Sequence, residues 1–159
     1  MVGRLFRLVL IVVLAVAMFA AGWLYATLQP GTRVERASLS TLEQTFIDQM
    51  KGATLVGSFT VAGREDRPAN PDRYEINSVE KVGGDQWRFN THMQYGSVDV
   101  TLPVVVTMLW SGDTPMITMT DVTIPTLGTF TARVIFYGDR YAGTWQHGNV
   151  GGHMYGRIE

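Results

Sequence analysis

The amino-acid sequence predicts a mainly β fold: a single N-terminal transmembrane helix, one short amphipathic helix, then an antiparallel meander of about eight strands. Three observations carry this prediction. The stretch from Leu8 to Leu28 holds no charged residue over 21 positions. Between Ser40 and Lys51 apolar residues recur at helical spacing, and from Ala53 onward the period changes to two and stays there, punctuated by glycine-centred turns.

At about 1.5 Å per residue, Leu8–Leu28 makes a helix of roughly 31 Å, which matches the thickness of a bilayer's hydrocarbon core. Arg4 and Arg7 precede it and orient the N-terminus toward the cytoplasm, so the rest of the chain is expected outside. Arg33 and Arg36, on the outer side, reduce that asymmetry. Trp23 and Tyr25 suit an aromatic belt at the outer interface, and Pro30-Gly31 end the helix. The alternative is a cleaved signal peptide with Ala20-Ala21-Gly22 as its processing site, releasing a secreted domain. Continuation of the apolar run through Trp23, Leu24, Tyr25 and Leu28 favours an uncleaved signal-anchor. The expected organisation is residues 1–30 as cytoplasmic tip and anchor, 31–38 as linker, and 39–159 as one β-domain.

Ser40 and Glu43 form a capping-box pair, which satisfies free backbone N–H groups at a helix start. Leu39, Leu42, Phe46 and Met50 line one face, and Gly52 suits the C-terminal cap. Glu43 and Asp48 on the polar side, without abundant Lys or Arg, favour a face packed on the domain over one lying on a membrane. The first strand covers Thr54–Val61, with Leu55, Gly57, Phe59 and Val61 on one face. A charged loop, Ala62–Asp72, precedes a strand at Arg73–Val82, and Gly83-Gly84-Asp85 turns the chain. In the next strand Trp87, Phe89, Thr91, Met93 and Tyr95 alternate with polar residues. Ser97–Trp110 is long for a strand, and Pro103 in its middle predicts an edge position, a bulge or a bend. Three further strands follow over Pro115–Ile124, Thr129–Tyr137 and Arg140–Gln146, and Met154, Gly156 and Ile158 close the last. A meander of eight strands hides its edges by pairing the first strand with the last, so an up-and-down barrel with the helix over one end is expected. A two-layer sandwich is the alternative.

The absence of cysteine excludes disulfides and thiolate chemistry. With Arg4 and Arg7 set aside, the chain holds 11 Lys+Arg against 14 Asp+Glu, a weakly acidic balance that argues against nucleic acid as a partner. His92, His147 and His153 are the histidines; His147 and His153 flank the last turn, where they could approach each other. Lacking neighbouring acidic ligands at zinc spacing, they predict no metal site. No G-x-S-x-G elbow and no phosphate-cradling loop occurs, so neither a catalytic residue nor a cofactor is expected. A hydrolase built on His92 or Asp99 would need those side chains to converge in a pocket. Trp87, Phe89, Met93, Trp110, Phe130, Phe136 and Trp145 fall on the apolar strand faces and are the candidate ligand-lining residues. An eight-stranded barrel is just wide enough to be filled by side chains or to hold one small ligand.

Tyr141–Glu159, YAGTWQHGNVGGHMYGRIE, with Gly143-x-Trp145 and a glycine hairpin, resembles the calycin and lipocalin-like barrels. In lipocalins Gly-x-Trp lies on the first strand, here on the seventh, so the resemblance implies architecture alone. The wider pattern, an anchor followed by GDQWRF, YGDRYAGTW and GGHMYG, is similar to uncharacterised membrane-anchored bacterial proteins of unknown activity. That implies a single pass of the bacterial cytoplasmic (inner) membrane with a periplasmic domain. Expected partners are the lipid bilayer through Leu8–Leu28 and a small apolar ligand or lipid in a non-enzymatic barrel. A protein-interaction or structural module docking an envelope partner is the alternative.

Overall fold

The computed structural model describes residues 34–159. The proposed anchor, Leu8–Leu28, lies outside the described residues; among those described, no helix is long and apolar enough to cross a membrane.

Eight antiparallel strands form a closed barrel in sequence order: β1 (Thr54–Phe59), β2 (Asn70–Gly83), β3 (Gln86–Tyr95), β4 (Val98–Ser111), β5 (Thr114–Ile124), β6 (Gly128–Tyr137), β7 (Arg140–His147) and β8 (Val150–Ile158). The closing ladder pairs β1 with β8 from Leu55↔Ile158 to Phe59↔Met154. The barrel, not the sandwich, therefore solves the edge problem. Alternation works as the sequence predicts: on β3, Trp87, Phe89, Thr91 and Met93 are buried while the residues between them face outward.

One helix, α1 (Thr41–Met50), precedes β1 and lies across the end of the barrel that holds the β2–β3, β4–β5 and β6–β7 turns. Its N-terminus carries the expected capping box: Ser40 N–H donates to Glu43 Oε2 at 2.8 Å, and Glu43 N–H donates to Ser40 Oγ at 3.3 Å. At its other end Gly52 takes φ +76°, the left-handed region where a side chain is strained. The segment expected as a linker is folded in its described part. Arg36–Ser38 forms a 3-10 turn, Arg36 makes a bidentate pair with Asp48 at 2.7 Å, and Val34 N–H donates to the Lys81 carbonyl at 3.0 Å.

The apolar face of α1 enters the barrel. The Phe46 ring sits edge-on to Trp87, Phe89, Trp110 and Phe136 at centroid distances of 5.7–6.3 Å, the geometry that aligns ring edges with ring faces. Met50 and Met108 beside it are completely buried. This half of the lumen is a packed core.

Strand ends differ from expectation at β1, which stops at Phe59 rather than Val61, and at β2. The long charged loop ends earlier, because β2 begins at Asn70 and takes in Pro71 and Asp72. Pro71 pairs with Ser58 near the start of the strand, a position that tolerates a missing donor. Pro103 sits in an unbroken β3–β4 ladder opposite Asn90. The β4–β5 ladder, however, covers only Thr107–Ser111 against Thr114–Thr118. Pro103 lies beyond its end, on a stretch with the character of an edge. A bulge in β5, where Thr120 and Asp121 are skipped in the pairing with β6 and Asp121 takes φ +51°, marks the same seam from the other side.

Candidate functional site

The half of the barrel away from α1 is built differently. Its inward residues are aromatic and aliphatic but only partly buried: Phe59, Tyr74, Tyr95, Val98, Val100, Phe130 and Trp145 all retain solvent contact. Four rings run side by side across β7, β1, β3 and β2. Trp145 is edge-on to Phe59 (5.6 Å), Phe59 to Tyr95 (6.4 Å), and Tyr95 lies tilted against Tyr74 (6.3 Å). Trp145 Nε1–H donates to the Thr60 carbonyl at 3.2 Å, which fixes the indole at this end.

Beneath this row lies Asp72, a carboxylate only 3 % exposed. Tyr141 Oη–H donates to its Oδ1 at 3.0 Å and Tyr74 Oη–H to its Oδ2 at 3.3 Å. The Tyr141 ring reaches it because two cross-strand glycines vacate the wall: Gly57 pairs with Gly156, and Gly156 pairs with Tyr141. A Cβ on Gly57 would overlap the Tyr141 hydroxyl, and one on Gly156 would come within 2.6 Å of its ring. Burial pushes the Asp72 carboxyl above the usual carboxylate range, and the two phenol donors offset part of that. The same burial, together with the neighbouring Asp72 charge, raises both Tyr74 and Tyr141, so each stays protonated and remains a donor.

The candidate ligand-lining residues divide between the two halves. Trp87, Phe89 and Phe136 are buried against Phe46, Trp110 packs on the same ring, and Met93 is buried at the middle of the barrel. Phe130 and Trp145 lie in the helix-distal half, where Phe130 stacks on His147 with centroids 4.5 Å apart. Asp72 and Tyr74 complete that half, and the Tyr141 hydroxyl reaches into it from the start of β7; none of the three was among the sequence candidates.

His92 and Asp99 do meet, but on the outer wall. His92 Nε2 lies 2.7 Å from Asp99 Oδ1, and Nδ1 lies 3.2 Å from Glu75 Oε2. Asp99 and then Glu75 hold the His92 imidazole above its ordinary value, and His92 in turn lowers both carboxyls. His147 and His153 do not approach each other. His147 pairs with Val150 on the inward face, whereas His153 pairs with Thr144 on the outward face. Among the described residues no group of three or more His, Cys, Asp or Glu could hold a metal ion.

The concavities on the described residues include two beside the barrel. One, of about 470 Å³, is a shallow groove between the end of α1 and the last strand, lined by Gln49, Lys51, Gly138 and Glu159 among others. The other, of about 310 Å³, lies under the β1–β2 loop between Arg64, Arg67, Asn70 and His153. His92, Asp99 and Glu75 line neither.

Fold and site together define a closed, eight-stranded up-and-down barrel, plugged at one end by a helix and lined with half-buried aromatic residues at the other. No protein-family model, curated protein or solved structure matches the chain.

Proposed function

We propose that the chain is a non-enzymatic, membrane-anchored extracytoplasmic barrel that binds a small apolar ligand or lipid in its helix-distal half. The observation that carries this reading is the contrast between the two halves of one lumen. Where Phe46 enters, the aromatic side chains are buried against each other. At the other end Phe59, Tyr95, Phe130 and Trp145 keep part of their surface open. Apolar sites with a few polar groups are the usual character of small-molecule pockets. The β4–β5 seam adds an entrance. The strand stretch Val98–Val106 has no ladder on its β5 side, so it is not tied to β5 by paired backbone. Anchoring rests on Leu8–Leu28, Arg4 and Arg7. The non-enzymatic reading rests on the outward position of the His92–Asp99–Glu75 chain, which lines neither concavity.

Native mass spectrometry of the barrel from Thr32 onward, with organic extraction of what it carries, tests the reading. The expected result is a bound lipid-sized mass that Phe130→Ser and Trp145→Ala each diminish. A bare polypeptide mass, together with Trp fluorescence unmoved by a titrated fatty acid, would overturn it in favour of a scaffold.

A further inference from the structure

The outer wall carries a feature that ligand binding does not use. Cross-strand register lines up Leu109 (β4), Met116 (β5), Ile135 (β6), Ala142 (β7) and Tyr155 (β8) as successive direct neighbours across five strands. Leu109 is 43 %, Ile135 45 % and Tyr155 50 % exposed. Tyr137, two residues beyond Ile135, is 76 % exposed. Outward positions of a barrel in water alternate with the core and are ordinarily polar, so an unbroken apolar row here marks an interaction surface.

Arginines flank the row. On one side Arg133 is committed to the Met119 and Ala132 carbonyls and the Thr120 hydroxyl; on the other Arg157 and Arg140, which pair with each other across the ladder, lie beyond Tyr155 and Ala142, with Arg140 3.7 Å from Asp139. Arg157 has no ion-pair partner among the described residues. An apolar strip with tyrosines, bordered by arginines, is the composition of a surface that rests in the headgroup region of an anionic bilayer, with aliphatic groups in the acyl boundary and guanidiniums at the phosphates.

The chain outside the described residues points to the same occupant. The first described residue, Val34, is tied to Lys81 at the helix-covered rim, where the β4–β5 and β6–β7 turns next to Leu109, Ile135 and Tyr137 also lie. Only Gln29–Arg33 separate Val34 from the apolar stretch, at most about 20 Å of extended chain. We infer that the Ile135–Ala142–Tyr155 portion of the row, with Tyr137 at its rim, docks the barrel sideways on an anionic lipid surface. The inference rests on the anchored reading above.

Because the chain is free of cysteine, single-cysteine variants label cleanly with an environment-sensitive fluorophore. The full chain is reconstituted in nanodiscs of mixed phosphatidylcholine and phosphatidylglycerol, with brominated lipids as quencher. Labels go at Ile135→Cys and Tyr155→Cys on the strip, at Thr101→Cys on the exposed wall beside His92, and at Ala17→Cys inside the apolar stretch. The expected result is quenching at both strip positions about threefold or more above Thr101, falling to the Thr101 level with Arg157→Glu or in phosphatidylcholine alone. Strong quenching at Ala17 with the strip indistinguishable from Thr101 would overturn the docking and leave the anchor intact. No quenching at Ala17 would overturn the anchored reading itself. Strip labels shielded from water yet unquenched, with Ile135→Cys forming disulfide dimers, would overturn lipid docking in favour of contact between two copies.

Discussion

Replacing Tyr141 with Phe isolates the contribution of the buried Tyr–Asp–Tyr arrangement. The substitution keeps the ring, which fills the space left by Gly57 and Gly156, and removes only the hydroxyl that donates to Asp72 Oδ1 at 3.0 Å. What remains for the carboxylate is the longer bond from Tyr74 at 3.3 Å. A hydrogen bond to a charged acceptor is worth roughly 1.5–3 kcal/mol, a neutral one roughly 0.5–1.5 kcal/mol. At pH 7 the Asp72 charge sets the cost, so Tyr141→Phe should lose about 2 kcal/mol of unfolding free energy, read by urea denaturation followed through tryptophan fluorescence. The acidity of Asp72 gives a second readout. Burial raises its folded value above the unfolded one, so the folded state binds the proton more tightly. Asp72 therefore favours folding fully below its unfolded value near 3.8 and loses that contribution as pH climbs through the raised folded value. Tyr141→Phe raises the folded value further, so its cost should be larger at pH 7 than at pH 3. In an Asp72→Asn background the cost should shrink to the neutral range, a coupling of about 1 kcal/mol. A Tyr141→Phe cost below about 0.5 kcal/mol, or one independent of both pH and Asp72, would refute the reasoning.

Phe46→Ala should cost about 3–5 kcal/mol, since one ring contacts four others at the plug, and should red-shift the emission of Trp87 and Trp110 as water enters. Gly143→Ala should prevent stable folding, measured as loss of the cooperative thermal transition, because a Cβ there overlaps the Arg133 carbonyl across the β6–β7 ladder. His92 should titrate above 6.5 by NMR and move back toward that value in Asp99→Asn. Its folded value is raised, so its contribution to stability is present below 6.5 and fades as pH rises through the folded value. Ser40→Ala should cost about 1 kcal/mol by removing the side-chain cap of α1, whereas Ser40→Asp should restore most of it.

The elements were legible because two periodicities write themselves plainly into this chain. Trp87–Tyr95 alternates without interruption, and β3 covers those residues together with Gln86. Ser40 and Glu43 announce the start of α1 three residues apart, and the structure joins them as a reciprocal pair. Period says which face a residue occupies, but not which point on the ring of strands it faces. That is why Phe46 could be placed on a packed face without showing that it enters the lumen and touches residues from β3, β4 and β6. Asp72 was hidden for another reason: surrounded by Pro68, Pro71 and charged neighbours, it has the composition of a loop. The only signal that it belongs to a strand is the spacing Asp72-x-Tyr74-x-Ile76, whose middle and last members face inward. The two histidines of the last hairpin illustrate the parity rule. His147 and His153 are close in sequence, yet pairing with Val150 and Thr144 sends them to opposite faces.

The β1–β8 ladder has a kinetic consequence. Every other pairing in the barrel joins neighbours along the chain, and each hairpin can form as soon as its second strand exists. Leu55 and Ile158, by contrast, meet across about 100 intervening residues, so their contact bears the largest loop-closure entropy of the fold. Until β8 docks, β1 and β8 are bare edges, and Gly57 and Gly156 cannot enclose the ring of Tyr141. Seating that phenol on Asp72 is thus coupled to closure itself. The barrel acquires its buried polar lock in the step that removes its last edges, which separates an aggregation-prone open meander from the finished protein.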